Sequence, residues 1–126
     1  MSFEKILQTI VDECGGGRSV ALMGLDGITV AEARATVGVD ADDPLAGDVT
    51  IAGVEFGRIF AELTKASDSL GTGSVRESVF SLARATLIFH MVDDDLVLAL
   101  SLRPDGNLGK ARYLIRRNLA GIRAEL

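Results

Sequence analysis

At 126 residues, 48% hydrophobic and 25% charged, the chain is long enough for one domain, residues 1–126, with a real core. No apolar run approaches the roughly 18 residues of a membrane-spanning helix. Acids inside the first apolar stretch, MSFEKILQTIVDE, exclude a signal or transit peptide, and a single cysteine, Cys14, excludes an internal disulfide and suits the cytoplasm. The net charge of −5 is split: Lys110, Arg112, Arg116, Arg117 and Arg123 stand against Glu125 at the end, while the first 109 residues hold 8 basic and 17 acidic side chains. That acidic body excludes generic nucleic-acid binding, which needs phosphate attraction over a broad surface.

Residues 2–14 carry the period of an amphipathic helix, with Phe3, Ile6, Leu7, Ile10, Val11 and Cys14 on one face and Ser2 as N-cap. Gly15-Gly16-Gly17 stops it. These glycines follow a helix and open a strand, the reverse of a phosphate loop. Val20–Leu25 and Ile28–Ala33 read as a hairpin joined by the two-residue turn Asp26-Gly27, and Glu32 and Arg34 mark the second strand as an outer one. Residues 35–47 form a crossing loop. Counted from Asp40, its sixth position is Leu45 where a calcium loop needs glycine.

From about Asp48 to Leu70 the period is helical again, with Ala52, Phe56, Ile59, Phe60, Leu63, Ala66 and Leu70 as the predicted inner face. Glu55, Arg58, Glu62 and Lys65 form a charged ladder opposite. Gly53 and Gly57, four apart, make a flat strip that admits another helix or backbone closely.

Three β-rich runs follow, Ser74–Leu82, 85–92 and Leu96–Leu102, with connections too short for a crossover helix; they form an antiparallel meander. Leu96–Leu102 is apolar on both faces and therefore central. Ser74–Leu82 is outer. Arg103-Pro104-Asp105-Gly106 is a turn and Asn107 caps a last helix, whose inner face is Leu108, Ala111, Leu114, Ile115, Leu119, Ile122 and Leu126, with Arg112, Arg116 and Arg123 as a solvated stripe. The resulting fold class is α+β, in the order α-β-β-α-β-β-β-α. A five-stranded antiparallel sheet is sandwiched between one long helix and the two terminal helices.

The catalytic inventory is thin. His90 lies mid-strand in step with Thr86, Ile88 and Val92, as a satisfied sheet histidine. Cys14 belongs to an apolar helix face, and one Cys with one His makes no zinc set. Asp93-Asp94-Asp95 reads as a solvated turn. No metal or other cofactor is expected, and the chain reads as a binding or scaffolding domain, not an enzyme.

The element order, the Leu25-Asp26-Gly27-Ile28 turn, and Pro104-Asp105-Gly106-Asn107-Leu108-Gly109-Lys110-Ala111-Arg112 opening the last helix resemble the roadblock/LC7 family, which has a profilin-like fold. Within it the chain is similar to the bacterial MglB-like regulators of Ras-like GTPases, apart from the glycines of its middle helix. The resemblance implies a cytoplasmic homodimer in which the third strands, residues 74–82, pair across a two-fold axis with the middle helices side by side. It makes Gly53, Gly57, Val75, Arg76, Glu77, Val79 and Phe80 dimer-interface candidates. It also implies that a small GTPase of the MglA type sits on the middle-helix face, with Glu55, Arg58, Glu62 and Lys65 as candidate contacts. Modulation of that GTPase's cycle, in cell polarity and gliding motility, is the implied role; a structural adaptor without effect on nucleotide turnover is the alternative. No nucleic acid and no membrane insertion are expected.

Overall fold

A computed structural model describes residues 2–36 and 48–126. The predicted crossing loop, with Asp40 and Leu45, lies almost wholly outside the described residues. Helix α1 spans Phe3–Glu13, strands β1 and β2 span Gly17–Gly24 and Thr29–Arg34, and α2 spans Gly53–Ser69. Strands β3, β4 and β5 span Glu77–Ser81, Thr86–Met91 and Leu96–Leu102, and α3 spans Leu108–Ala124. The sheet order is β2-β1-β5-β4-β3, antiparallel throughout. Every residue of β5 is buried. This is the predicted α+β layering, with the apolar Leu96–Leu102 run in the centre.

Strand periodicity divides the core in two. Ile88, Leu98, Leu100 and Leu102 meet the inner faces of α1 and α3, among them Leu7, Ile10, Ile115 and Ile122, to form an aliphatic core. Leu87, Phe89, Val97 and Ala99 point the other way, where Phe60 is buried with them and Phe56 and Phe80 pack alongside. The second core is an aromatic wedge. Phe89 stacks obliquely on Phe56 at 4.6 Å and edge-on to Phe60 at 5.0 Å and Phe80 at 5.8 Å. These separations lie within the favourable range for ring pairs, worth roughly 0.5–1.5 kcal/mol each beyond the buried area.

The caps follow the sequence. The Ser2 hydroxyl accepts from the amide of Lys5 at 3.4 Å, and the Asn107 side chain from that of Lys110 at 3.0 Å. Gly16 has a φ of +93° and approaches Gly106 so closely that a Cβ on it would lie 2.8 Å from the Gly106 Cα. The two turns at this end are joined by the amides of Arg103 and Asn107, which donate to the carbonyls of Gly16 and Gly15.

Three expectations are corrected. The β1–β2 connection is a three-residue loop, Leu25–Gly27, with Gly24 donating to the Ile28 carbonyl at 2.9 Å and Gly27 at φ +89°. Such a loop is a type I turn closed by a left-handed glycine. Helix α2 starts at Gly53 instead of Asp48, because Val49, Thr50 and Ile51 favour non-helical backbone and the Asp48 carboxylate instead accepts from the amide and hydroxyl of Thr50. The inner face of α2 is also rotated from the predicted one. Gly53, Gly57 and Phe60 are buried, while Ile59, Leu63 and Leu70 keep 41%, 37% and 78% of their surfaces exposed.

The two sheet edges are treated differently. At β2 the Gln8 side chain donates to the Arg34 carbonyl at 2.8 Å, and Asp12 accepts from the Thr36 amide at 2.9 Å and its hydroxyl at 3.0 Å. The Ala35 amide donates inward to Arg18, so Arg34 and Thr36 turn outward, and α1 caps this end of the edge. The Thr36 amide, and after it Gln8, hold the Asp12 carboxyl below the usual carboxylate range.

Replacing Gly57 by alanine should lower the unfolding free energy by about 2 kcal/mol in urea titrations, although alanine gains roughly 1 kcal/mol of helix propensity over glycine. Gly109→Ala, where the new methyl meets nothing nearer than the Asn107 side-chain oxygen at 3.8 Å, should stabilise. For Asp12, depression of the folded-state pKa means that its stabilisation is present at neutral pH and lost as pH falls through that value. Asp12→Ala should therefore melt below the parent at pH 7 and converge with it at the acid end of a melting series.

Candidate functional site

The roll of α2 builds the candidate site. A Cβ on Gly57 would overlap the Leu25 carbonyl oxygen, and one on Gly53 would lie 3.0 Å from that of Gly27. The helix therefore rests on the hairpin loop, backbone on backbone. Gly53 and Gly57 do accept a close approach, as their spacing predicted, but the approaching backbone is their own chain's. The strip they form is occupied within the protomer.

At 3.6 residues per turn, Ile59, Leu63, Ala66 and Leu70 lie about a third of a turn from those glycines, on the far side of Phe56. Phe56 also meets Phe80 of β3, ring centres 6.4 Å apart, so this stripe flanks the β3 edge. Beyond it stand Glu55, Arg58, Glu62 and Lys65, all exposed. Arg58, Ile59, Glu62 and Leu63 together line a shallow apolar depression. Of the predicted ladder, the pair within ion-pair distance is Glu62–Lys65, at 3.3 Å and fully accessible to water, which is worth little to stability. These four charges are available for contact.

The β3 edge lies next to that stripe. Met91 donates its amide to the Arg76 carbonyl and Leu82 to that of Ala85. Residues 76, 78, 80 and 82 thus direct their backbone groups inward, and Glu77, Val79 and Ser81 direct theirs outward. Among the described residues no side chain caps these outward groups as Gln8 and Asp12 cap β2. Val79 is 38% exposed, Leu82 is exposed, Phe80 is half-buried on the aromatic wedge, Val75 is half-buried and Arg76 is exposed. An edge with aliphatic side chains and unpaired amides is a template for another strand.

Glu77 anchors the edge strand to α3. Its carboxylate lies 2.7 Å from Nε of Arg112, a charge contact without the alignment of a hydrogen bond, and 3.4 Å from Nη2 of Arg116. His90, its cross-strand neighbour, approaches it at 4.0 Å through Nε2 and bonds the Met91 carbonyl through Nδ1 at 3.0 Å. The histidine is satisfied, as predicted from its strand position. The arginine stripe differs from expectation, because Arg112 and Arg116 clamp Glu77 and Arg123 donates to the Val92 carbonyl at 2.8 Å. Sequence periodicity places these arginines on one face but cannot see that β3 runs beneath it.

A cleft of about 940 Å³ opens at the start of β3, between Phe60 and Thr64 of α2 and Arg116 and Arg123 of α3. Its two α3 arginines are engaged, Arg116 by Glu77 and Arg123 by the Val92 carbonyl. Burial pushes the Cys14 thiol up, so the only cysteine is held protonated within the aliphatic core. Among the described residues no group of three or more His, Cys, Asp or Glu side chains could hold a metal ion. No described helix is long and apolar enough to cross a membrane.

No family model matches the sequence, and no curated protein matches it. Solved structures do. MglC from Myxococcus xanthus is 32% identical over 100% of both chains, with a TM-score of 0.67. A roadblock/LC7 domain from Streptomyces avermitilis is 16% identical, with a TM-score of 0.78 over 98% of this chain and 97% of that one. The gliding protein MglB from Thermus thermophilus is 17% identical, with a TM-score of 0.77 over 91% and 81%.

Replacing Glu77 by glutamine should cost about 1 kcal/mol, because the arginine pair loses its counter-charge on a partly exposed surface. The difference from the parent should shrink when the urea titration is repeated at 1 M NaCl, since such contacts are screened.

Proposed function

The chain belongs to the roadblock/LC7 family, and we propose that it is a non-catalytic homodimeric regulator that binds a Ras-like small GTPase of the MglA type and modulates its nucleotide cycle. The observation that carries this reading is the exposed outer face of α2. Ile59 and Leu63 lie bare between an open strand edge and the exposed charges Glu55, Arg58, Glu62 and Lys65. Apolar surface rimmed by charge is the make-up of a protein–protein contact, and charges of both signs at its border favour orientation of a partner over tight non-specific adhesion. The similarity to MglC and MglB supports the same reading.

Two copies joined at β3 would extend the sheet to ten strands and bring their α2 helices together. The apolar stripes would then be covered at the seam, and the charged ladders would border a shared platform for the GTPase. Regulation would follow from differential affinity for the GTPase's conformations, since a partner shifts an equilibrium only by binding its states unequally.

The test is reconstitution with a cognate MglA-type GTPase. Arg58→Glu combined with Glu62→Lys should weaken binding about tenfold, near 1.4 kcal/mol, and leave the dimer's mass unchanged in light scattering. Unaltered affinity would remove this face from the contact. GTP hydrolysis and nucleotide release, measured with and without the protein, should change in rate; binding with neither rate altered identifies a structural adaptor.

A further inference from the structure

We propose that the two-fold axis of the homodimer passes through Val79, so that the two β3 strands pair antiparallel with Val79 opposite Val79 of the second copy. This rests on the homodimer reading above and specifies its register. The occupant of the edge is a second copy of this chain because the edge is complementary to itself.

Only Glu77, Val79 and Ser81 turn their backbone groups outward, so a two-fold pairing must match these residues with one another. With the axis at Val79, Glu77 faces Ser81 of the second copy, and all of Glu77–Ser81 is paired. The hydroxyl of Ser81 then meets a carboxylate that already gathers Arg112 and Arg116, a donor facing an acceptor. Val79 meets its own copy on the same face, joining two exposed aliphatic groups. On the opposite face Ser78 lies across from Phe80, so the bulky ring faces a small side chain.

The neighbouring registers are poorer. With the axis at Glu77 two carboxylates stand opposite, and like charges directly across a ladder destabilise it. An axis at Ser78 sets the Glu77 carboxylate against Val79 and runs the pairing past the start of the strand. An axis at Phe80 sets two half-buried rings against each other while both are held on the aromatic wedge.

Single-cysteine scanning across Ser78, Val79 and Phe80 reads the register directly. Directly opposed residues in an antiparallel pair have Cα atoms about 4.5–5.5 Å apart, within disulfide reach, and the native Cys14 is fully buried. Under mild oxidation Val79→Cys should give a cross-linked dimer as the main species, at least tenfold faster than Ser78→Cys or Phe80→Cys. As a second measurement, spin labels on Ser81→Cys should report backbone positions about 14 Å apart, against about 20 Å for an axis at Ser78 and about 7 Å for one at Phe80. A maximum at another position, or one of the other distances, overturns the register while the homodimer stands. A monomeric mass with no cross-link at any position overturns the homodimer itself.

Discussion

The contact on which the rest of the molecule depends is between backbones. Helix α2 lies directly on the β1–β2 loop because Gly53 and Gly57 carry no side chain to hold it away. Glycine inside a helix costs about 1 kcal/mol each against alanine, so this helix gives up intrinsic stability for close approach. The approach sets the roll of the helix about its axis. Given that roll, Phe56 and Phe60 reach Phe89, and Ile59 and Leu63 cannot reach the core at all. The exposed stripe is thus a consequence of how the helix is seated, not of a shortage of core to fill.

The two sides of the sheet do different work. The α1 and α3 side is a continuous aliphatic core closed at its upper end by the paired Gly15–Gly16 and Gly106 turns. The α2 side is a smaller aromatic wedge whose outermost member, Phe80, belongs to the edge strand. Glu77, three residues earlier on the opposite face, is held by α3. The edge strand is consequently anchored from both layers while its outward amides stay free. A strand fixed on both faces is pre-organised for pairing, so little ordering entropy remains to be lost on association.

Much of this was legible in the residues. The all-apolar Leu96–Leu102 run announced a central strand, the short connections announced the meander, and Ser2, Asn107 and the triple glycine announced helix ends. The failures share a cause. Hydrophobic periodicity ranks positions by their side chains, so it placed Ile59, Leu63 and Leu70 inward and gave the glycines no core role, whereas Gly53 and Gly57 define the inner face. The arginine stripe was read as solvated for a related reason: a helical pattern reports which residues share a face but not what passes under it. The spacing of Gly53 and Gly57 was the available signal for close approach, and the partner in that approach is set by the topology. The four charges of α2 were identifiable by position, opposite the apolar face of the helix, and all four are exposed.

The treatment of the far edge bears on how large an assembly can grow. A sheet with two open edges is divalent, and divalent units add end to end, so that their length rises with concentration. Here the β2 edge is occupied near its end by Gln8 and Asp12, and Glu32 and Arg34 lie along it. On the proposed pairing through β3, such a protomer would be monovalent. Two such units would satisfy each other and stop, so the size of the assembly would be written into the first helix of the chain and would be independent of how much protein the cell makes once pairing is saturated.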